Sequence, residues 1–232
     1  MQDEIIKHSR KILNNFKIKD LPFISKAKKI SIEIFIIVFA VSFSIWLHGM
    51  NEYKREQKEV KMFYINTKED LEQDIKWLKS DVEEYRKEEA RLSDIFNLST
   101  LKLDSLKQRN VDIAFPMHVF MNKINNGNYE GFKSSGKIGF IENEDLKKAI
   151  LNYYQQDALK IIEMNNIYNQ YLIKTLDSFE DIKDEKDLLS QKIQLKIKFL
   201  SLIAETNIKF CNESLIKKAE DIINNIDKEL LK

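Results

Sequence analysis

The sequence predicts an all-α protein with one membrane-spanning helix, and three observations predict it. Gly 5 and Pro 2 make 7 of 232 residues, about 3% where average usage is roughly 12%. Apolar residues recur at three- and four-residue steps over most of the chain. One run of 18 residues, Ile30–Leu47, carries a single charge. The first observation excludes a turn-rich β-sandwich, a doubly wound α/β enzyme and a Gly-loop nucleotide binder, all of which need more punctuation. Lys+Arg 38 against Asp+Glu 37 leaves a net charge of +1, which argues against a nucleic-acid partner. Cys211 is the only cysteine, so no intrachain disulfide forms and the redox compartment stays open.

The apolar run is the anchor. At about 1.5 Å per residue it spans roughly 27 Å, just short of a ~30 Å hydrocarbon core. Lys26, Lys28 and Lys29 precede it, and Trp46, His48 and Tyr53 stand at the far interface, as an aromatic belt requires. The only small-x-small site, Ala40-Val41-Ser42, lies inside the run, which favours an uncleaved signal anchor over a cleaved signal peptide. Glu33 is placed to pair with Lys29 and snorkel to the surface. Residues 1–29 hold eight Lys/Arg against three acids, and residues 48–66 hold four against three. The excess predicts a cytoplasmic basic tail (1–29), a span (30–47) and an extracytoplasmic, periplasmic domain (48–232) at a bacterial inner membrane. In the tail, Ile5, Ile12 and Phe16 share a helical face beside Lys7, Arg10 and Lys11, which fits a helix on the anionic leaflet or an unstructured tail.

No Gly or Pro falls between Met50 and Phe115. Leu71, Ile75, Leu78, Val82, Tyr85, Leu92 and Phe96 make a coiled-coil-like heptad seam with Glu89 as its one miss, and Val60, Tyr64 and Thr67 extend it through a stutter at 67–71–75. A weakening at Asn97-Leu98-Ser99 precedes a second piece at 100–112. Phe115–Lys123 is a short apolar stretch in which Pro116 suits a first helical turn. Four of the five glycines, Gly127, Gly131, Gly136 and Gly139, then mark a connection over 124–142, read as a small hairpin or an irregular tight turn.

Asn143 is an N-cap with Glu144 and Asp145 in the first turn. The helix it opens runs to about Ser178 on a stripe of Tyr154, Ala158, Ile161, Tyr168, Leu172, Leu176 and Phe179. Asp181–Glu185 is a polar break. The last helix starts near Asp187 and buries Ile193, Ile197, Leu200, Ala204, Ile208, Cys211, Leu215, Ala219, Ile222, Ile226 and Leu230, with an interruption near Asn212-Glu213-Ser214. Three long amphipathic helices and one short one must bury their stripes on each other, so the reading is an antiparallel bundle with reversals at 113–142 and 181–186.

No chemistry is signalled. His8, His48 and His118 have no ligand spacing, and no phosphate-loop, serine-hydrolase, zincin or di-iron motif occurs. The expectation is a non-enzyme without cofactor or metal. Tyr153, Tyr154, Tyr168 and Tyr171 cluster on one helix beside the Gly-rich connection. They are read either as pocket-lining rings for a small-molecule ligand or as ordinary packing rings. The candidate interaction residues are therefore Tyr129, Phe132, Ser135, Gly136, Lys137, Ile138, Asn143, Tyr153 and Tyr154, with Lys28, Lys29, Glu33 and Trp46 as the membrane anchor.

Ile32-Glu33-Ile34, Asn51-Glu52-Tyr53-Lys54-Arg55, Ser134-Ser135-Gly136-Lys137-Ile138, Ile141-Glu142-Asn143, Leu146 and Tyr153-Tyr154 carry a resemblance. Over residues 1–180 the chain resembles a family of bacterial single-span membrane proteins known only as a domain of unknown function. It departs where Ser31 replaces a Gly before Glu33 and where Met50 replaces a Trp at the span exit. The resemblance implies a membrane-anchored helical domain and no known activity. The functional expectation is an interaction or scaffold protein that meets the bilayer and either a protein partner or a second copy. The alternative is an extracytoplasmic ligand-binding sensory module that acts through a partner.

Overall fold

The computed structural model describes residues 23–109, 113–121, 123–180 and 182–232, and all regular structure among them is helical. The amphipathic tail of Ile5, Ile12 and Phe16, and the Cys211 side chain, lie outside the described residues. Helix α1 runs Phe23–Phe96. Short α2 (Thr100–Gln108) is capped by Ser99, whose Oγ accepts Lys102 N–H at 3.3 Å. Helix α3 is Gly127–Ser134 and is followed by a 3-10 turn, Lys137–Phe140. Helix α4 (Glu144–Asn152), a π-turn (Tyr153–Asp157) and α5 (Ala158–Asp177) form one continuous rod. A 3-10 turn (Glu185–Leu189) precedes the second rod, made of α6 (Gln191–Thr206), a π-turn (Asn207–Asn212) and α7 (Glu213–Leu230).

The chain forms two compact units, residues Met1–Lys58 and Glu59–Lys232. The first holds the helix that is long and apolar enough to cross a membrane or serve as a signal anchor. Its apolar window has a mean hydropathy of 2.4 and none of its residues is buried inside the protein. Phe35, Phe39, Phe43 and Trp46 stack in sequence along one face, with ring centroids 6.2, 5.9 and 5.7 Å apart. Lys28 and Lys29 are exposed before them, and Glu33 is half-buried.

The second unit is a bundle whose register is written in its cross-links. Lys68 pairs with Asp227, Lys79 with Glu220 and Arg86 with Glu213, so α7 runs antiparallel to α1. Asn143 bonds Glu229 and Asp157 bonds Lys218, so the two rods are also antiparallel. The fully antiparallel arrangement expected from sequence needs correction, because Tyr153 bonds Asp74 while Asn165 bonds Tyr85. The first rod and α1 therefore run parallel.

A parallel neighbour requires the chain to travel back along α1 before the first rod begins. Residues 113–121 and 123–126 make that journey as an extended strap. Phe115 lies against Phe179, Phe120 against Tyr85, and Asn125 against Asp74. The five steps from Phe120 to Asn125 match the eleven helical steps from Tyr85 to Asp74, and at about 3.3 and 1.5 Å per step both spans are about 16 Å. This corrects the helical reading of Phe115–Lys123: a helix there would fall short by half. Period two replaces period 3.6, with Pro116 and Phe120 buried while Met117, Val119 and Met121 point out.

A strap inside a helical protein has no ladder for its backbone groups. Asn169 supplies the missing partner, its Oδ1 accepting Phe120 N–H at 3.0 Å and its Nδ2 donating to Phe120 O at 2.8 Å. Asp74 Oδ1 accepts Asn125 N–H at 2.9 Å. The Phe120 ring stacks on Tyr85 at 3.5 Å and meets the edge of Tyr168 at 5.2 Å. Below the strap, the Gly-rich connection is helical and not a hairpin. Gly136 alone needs its glycine, with φ +75 after the C-terminus of α3.

Both rods contain a π-turn, and each explains a pair of adjacent buried residues. Before the first turn the stripe is Leu146, Ile150 and Tyr153; after it, Tyr154, Ala158, Ile161, Asn165, Tyr168, Leu172 and Thr175. One inserted residue resets the register, so neighbours Tyr153 and Tyr154 both face inward. The second rod repeats this with Asn207 and Ile208. The interruption read near Asn212-Glu213-Ser214 is this π-turn, ending where α7 begins.

Asn169→Ala removes both clips on Phe120 and leaves its buried backbone groups unpaired. The expected loss is about 1–3 kcal/mol in urea denaturation, with faster proteolysis at Lys123. Wild-type stability and wild-type cleavage would show that the strap is held by something else.

Candidate functional site

The seam of α1 carries the site. Its buried positions are Val60, Phe63, Tyr64, Thr67, Leu71, Asp74, Leu78, Val82, Tyr85, Glu88, Leu92 and Ile95. From Thr67 to Leu78 and from Tyr85 to Ile95 they follow a seven-residue repeat, with Val82 buried where the repeat falls on half-buried Asp81, so the stutter expected at 67–71–75 disappears. Thr67 and Val82, expected on the seam, are buried, whereas Asp74 and Glu88 turn fully inward in place of the expected Ile75 and the expected miss at Glu89. Phe96 is exposed and Ile95 takes its place.

Asp74 is the centre of a polar clasp. Its two carboxylate oxygens accept from the strap, at Asn125 N–H, and from the first π-turn, at the Tyr153 hydroxyl (3.1 Å). The π-turn is what aims Tyr153 here while Tyr154 stacks on Tyr129 at 4.6 Å. Gln155, on the same turn, donates from Nε2 to the Tyr129 hydroxyl at 2.7 Å. Asn128 donates to Thr67 at 3.1 Å, and Phe132 stacks on Phe63 at 4.0 Å. Burial raises the Asp74 carboxyl to about 6 against hydrogen bonds from Asn125 and Tyr153 that lower it, with Asp70 on the same helix raising it further. Burial and the Asp74 charge raise the Tyr153 hydroxyl well above its ordinary value.

Most residues singled out from sequence gather at this end of the unit. Tyr129, Tyr153 and Tyr154 form its core, and Phe132 and half-buried Ile138 pack beside them. Lys137 pairs with Glu59 at 3.0 Å, and Ser135 Oγ donates to Phe132 O at 2.8 Å. Asn143 caps α4 through Leu146 N–H. The four-tyrosine cluster is not kept together. Tyr168 belongs to the Tyr85–Phe120 stack higher up, and Tyr171 lies half-exposed against Phe199 at 4.9 Å. Tyr129, Tyr153 and Tyr154 pack ring against ring. Tyr153 also reaches a groove of ≈ 300 Å³ between the first rod and α7, walled by Asn152, Gln156, Asp157, Lys218, Asp221 and Asn225.

Sequence reasoning missed Asp74, Asn125 and Gln155. A signal for Asp74 existed, because strict seven-residue spacing from Val60 through Thr67 lands on residues 74, 81, 88 and 95. The rule that charges belong outside overrode it. A second buried network joins the rods: Tyr85 donates to Asn165 at 2.9 Å and accepts from Asn207 Nδ2 at 2.7 Å. Glu88, fully buried, accepts from Arg91, and its other oxygen has no hydrogen-bond partner.

Among the described residues no group of three or more His, Cys, Asp or Glu is arranged to hold a metal ion. Compared with protein-family models, curated proteins and solved structures, the chain matches none.

A carboxyl that is fully buried and raised from 3.8 to about 6 lowers stability at neutral pH. The unfolded chain loses its proton first, so stability falls as pH rises from about 4 to 6 and stays low above. Asp74→Asn keeps an acceptor for Asn125 and removes the charge. The variant is expected to exceed wild type by about 1–3 kcal/mol at pH 7, with the difference vanishing below pH ~4. Paired urea titrations at both pH values check this; a variant weaker than wild type at pH 7 contradicts it.

Proposed function

We propose that this is a membrane-anchored helical-bundle interaction or scaffold protein without catalytic activity. The reading places the N-terminus in the cytoplasm of a bacterium, one span in the inner membrane and the bundle in the periplasm. The observation that carries it is a pairing within the chain. An apolar helix with no residue buried inside the protein precedes a bundle that leaves Leu195, Phe199 and Leu202 exposed. The Lys/Arg excess of residues 1–29 supports the orientation.

A second reading, a ligand-binding sensory module acting through a partner, draws on one specific feature. The ≈ 300 Å³ groove lies over the π-turn that holds Tyr153 on Asp74, and π-turns recur at functional sites. A ligand there has a direct mechanical route to the strap.

Reporter fusions after Lys232 test the placement. Periplasmic activity is expected, and activity confined to the cytoplasm overturns it. Membrane cross-linking of the full chain is expected to give defined adducts. Their absence, together with a melting shift in a metabolite screen, would transfer support to the sensory reading.

A further inference from the structure

Helix α6 is apolar on two opposite sides. Ile197, Leu200 and Ala204 are fully buried against the bundle. Leu195, Phe199 and Leu202, spaced i, i+4, i+7, fall half a turn away and are 59%, 47% and 50% exposed. A helix that is apolar all round normally has neighbours all round. The outward stripe is widened by Tyr171 on α5, in ring contact with Phe199 at 4.9 Å.

The charges around it have one sign. From Gln191 to Ala204 the helix holds Lys192, Lys196 and Lys198 and no acid. Lys198 Nζ stands 5.9 Å from the Phe96 ring, and Lys174 Nζ stands 5.3 Å from the Tyr171 ring. Lys196 Nζ donates to Lys174 O, tying the two helices together along the patch. Glu205, at the far end, is engaged by Lys209.

We propose that this stripe is a docking face for another protein, one that presents an apolar ridge flanked by Asp or Glu. Charge selects that occupant. A second copy bringing the same stripe would set lysine against lysine. The basic tail of this chain, with eight Lys/Arg against three acids over residues 1–29, would be repelled likewise. An acidic-flanked ridge covers the apolar centre and satisfies the lysine rim, which raises the association rate and fixes register. The proposal rests on the interaction reading of this protein and not on its membrane orientation.

The test places a photo-cross-linking residue at Leu195, Phe199 or Leu202 of the full chain in its native membranes, with exposed Lys217 as a control position. The expected result is a discrete adduct from the stripe, whose linked peptide is apolar with flanking Asp or Glu. Reversing Lys192, Lys196 and Lys198 to Glu is expected to lower its yield at least about tenfold. Reversing the partner's acids to Lys is then expected to restore it. The reversed chain's thermal melt, compared with wild type, reports that its fold is intact. Adducts to a second copy, to lipid, or to a protein without acidic flanks overturn the proposal. Adducts from Lys217 with none from the stripe overturn it while leaving the interaction reading standing. No adduct from any position overturns both.

Discussion

Everything in the second unit depends on one extended strap being buried among helices. Because residues 113–121 and 123–126 return along α1, the first rod runs parallel to α1 instead of antiparallel. The second rod then closes against both. An extended chain covers helical length at less than half the residue count, so this short segment does what a further helix would otherwise do. The cost is a backbone without a ladder. It is met by two side chains, Asn169 around Phe120 and Asp74 at Asn125.

The buried polar groups make sense as consequences of that constraint. Asp74 faces inward because the strap needs an acceptor there. The first π-turn shifts the rod's register by one residue, bringing Tyr153 to the same carboxylate while Tyr154 keeps its place on Tyr129. The second π-turn brings Asn207 to Tyr85. Apolar stripes alone leave helices free to slide by a turn. Directional bonds at 74–153, 85–165 and 85–207 reject such shifts, as single buried polar residues do in coiled coils. Stability is given up at Asp74 for a defined alignment.

Much of this was legible in the sequence. Scarce glycine and proline pointed to the helical class, Asn143 marked the start of the first rod, and most of the second rod's apolar stripe was found, whereas the first rod's stripe was read from Tyr154 onward without Leu146, Ile150 and Tyr153. The Gly-rich region and the paired tyrosines pointed to the end of the bundle where the clasp is built. Three things were hidden. The strap's period-two pattern is only a few residues long, and Pro116 suits a helix start as well as an extended chain. A π-turn leaves no compositional mark; its trace was two adjacent residues both fitting a stripe. Asp74 was misplaced because hydrophobicity outweighed spacing in reading α1.

Amide hydrogen exchange at Phe120 and Asn125 tests the central claim most directly. If the strap is a buried, clipped element, both amides exchange only through large-scale opening and are protected nearly as well as the core of α5. Exchange at the rate of an exposed loop, beside a protected Tyr168, would contradict the account, because the bundle would then hold together without the strap.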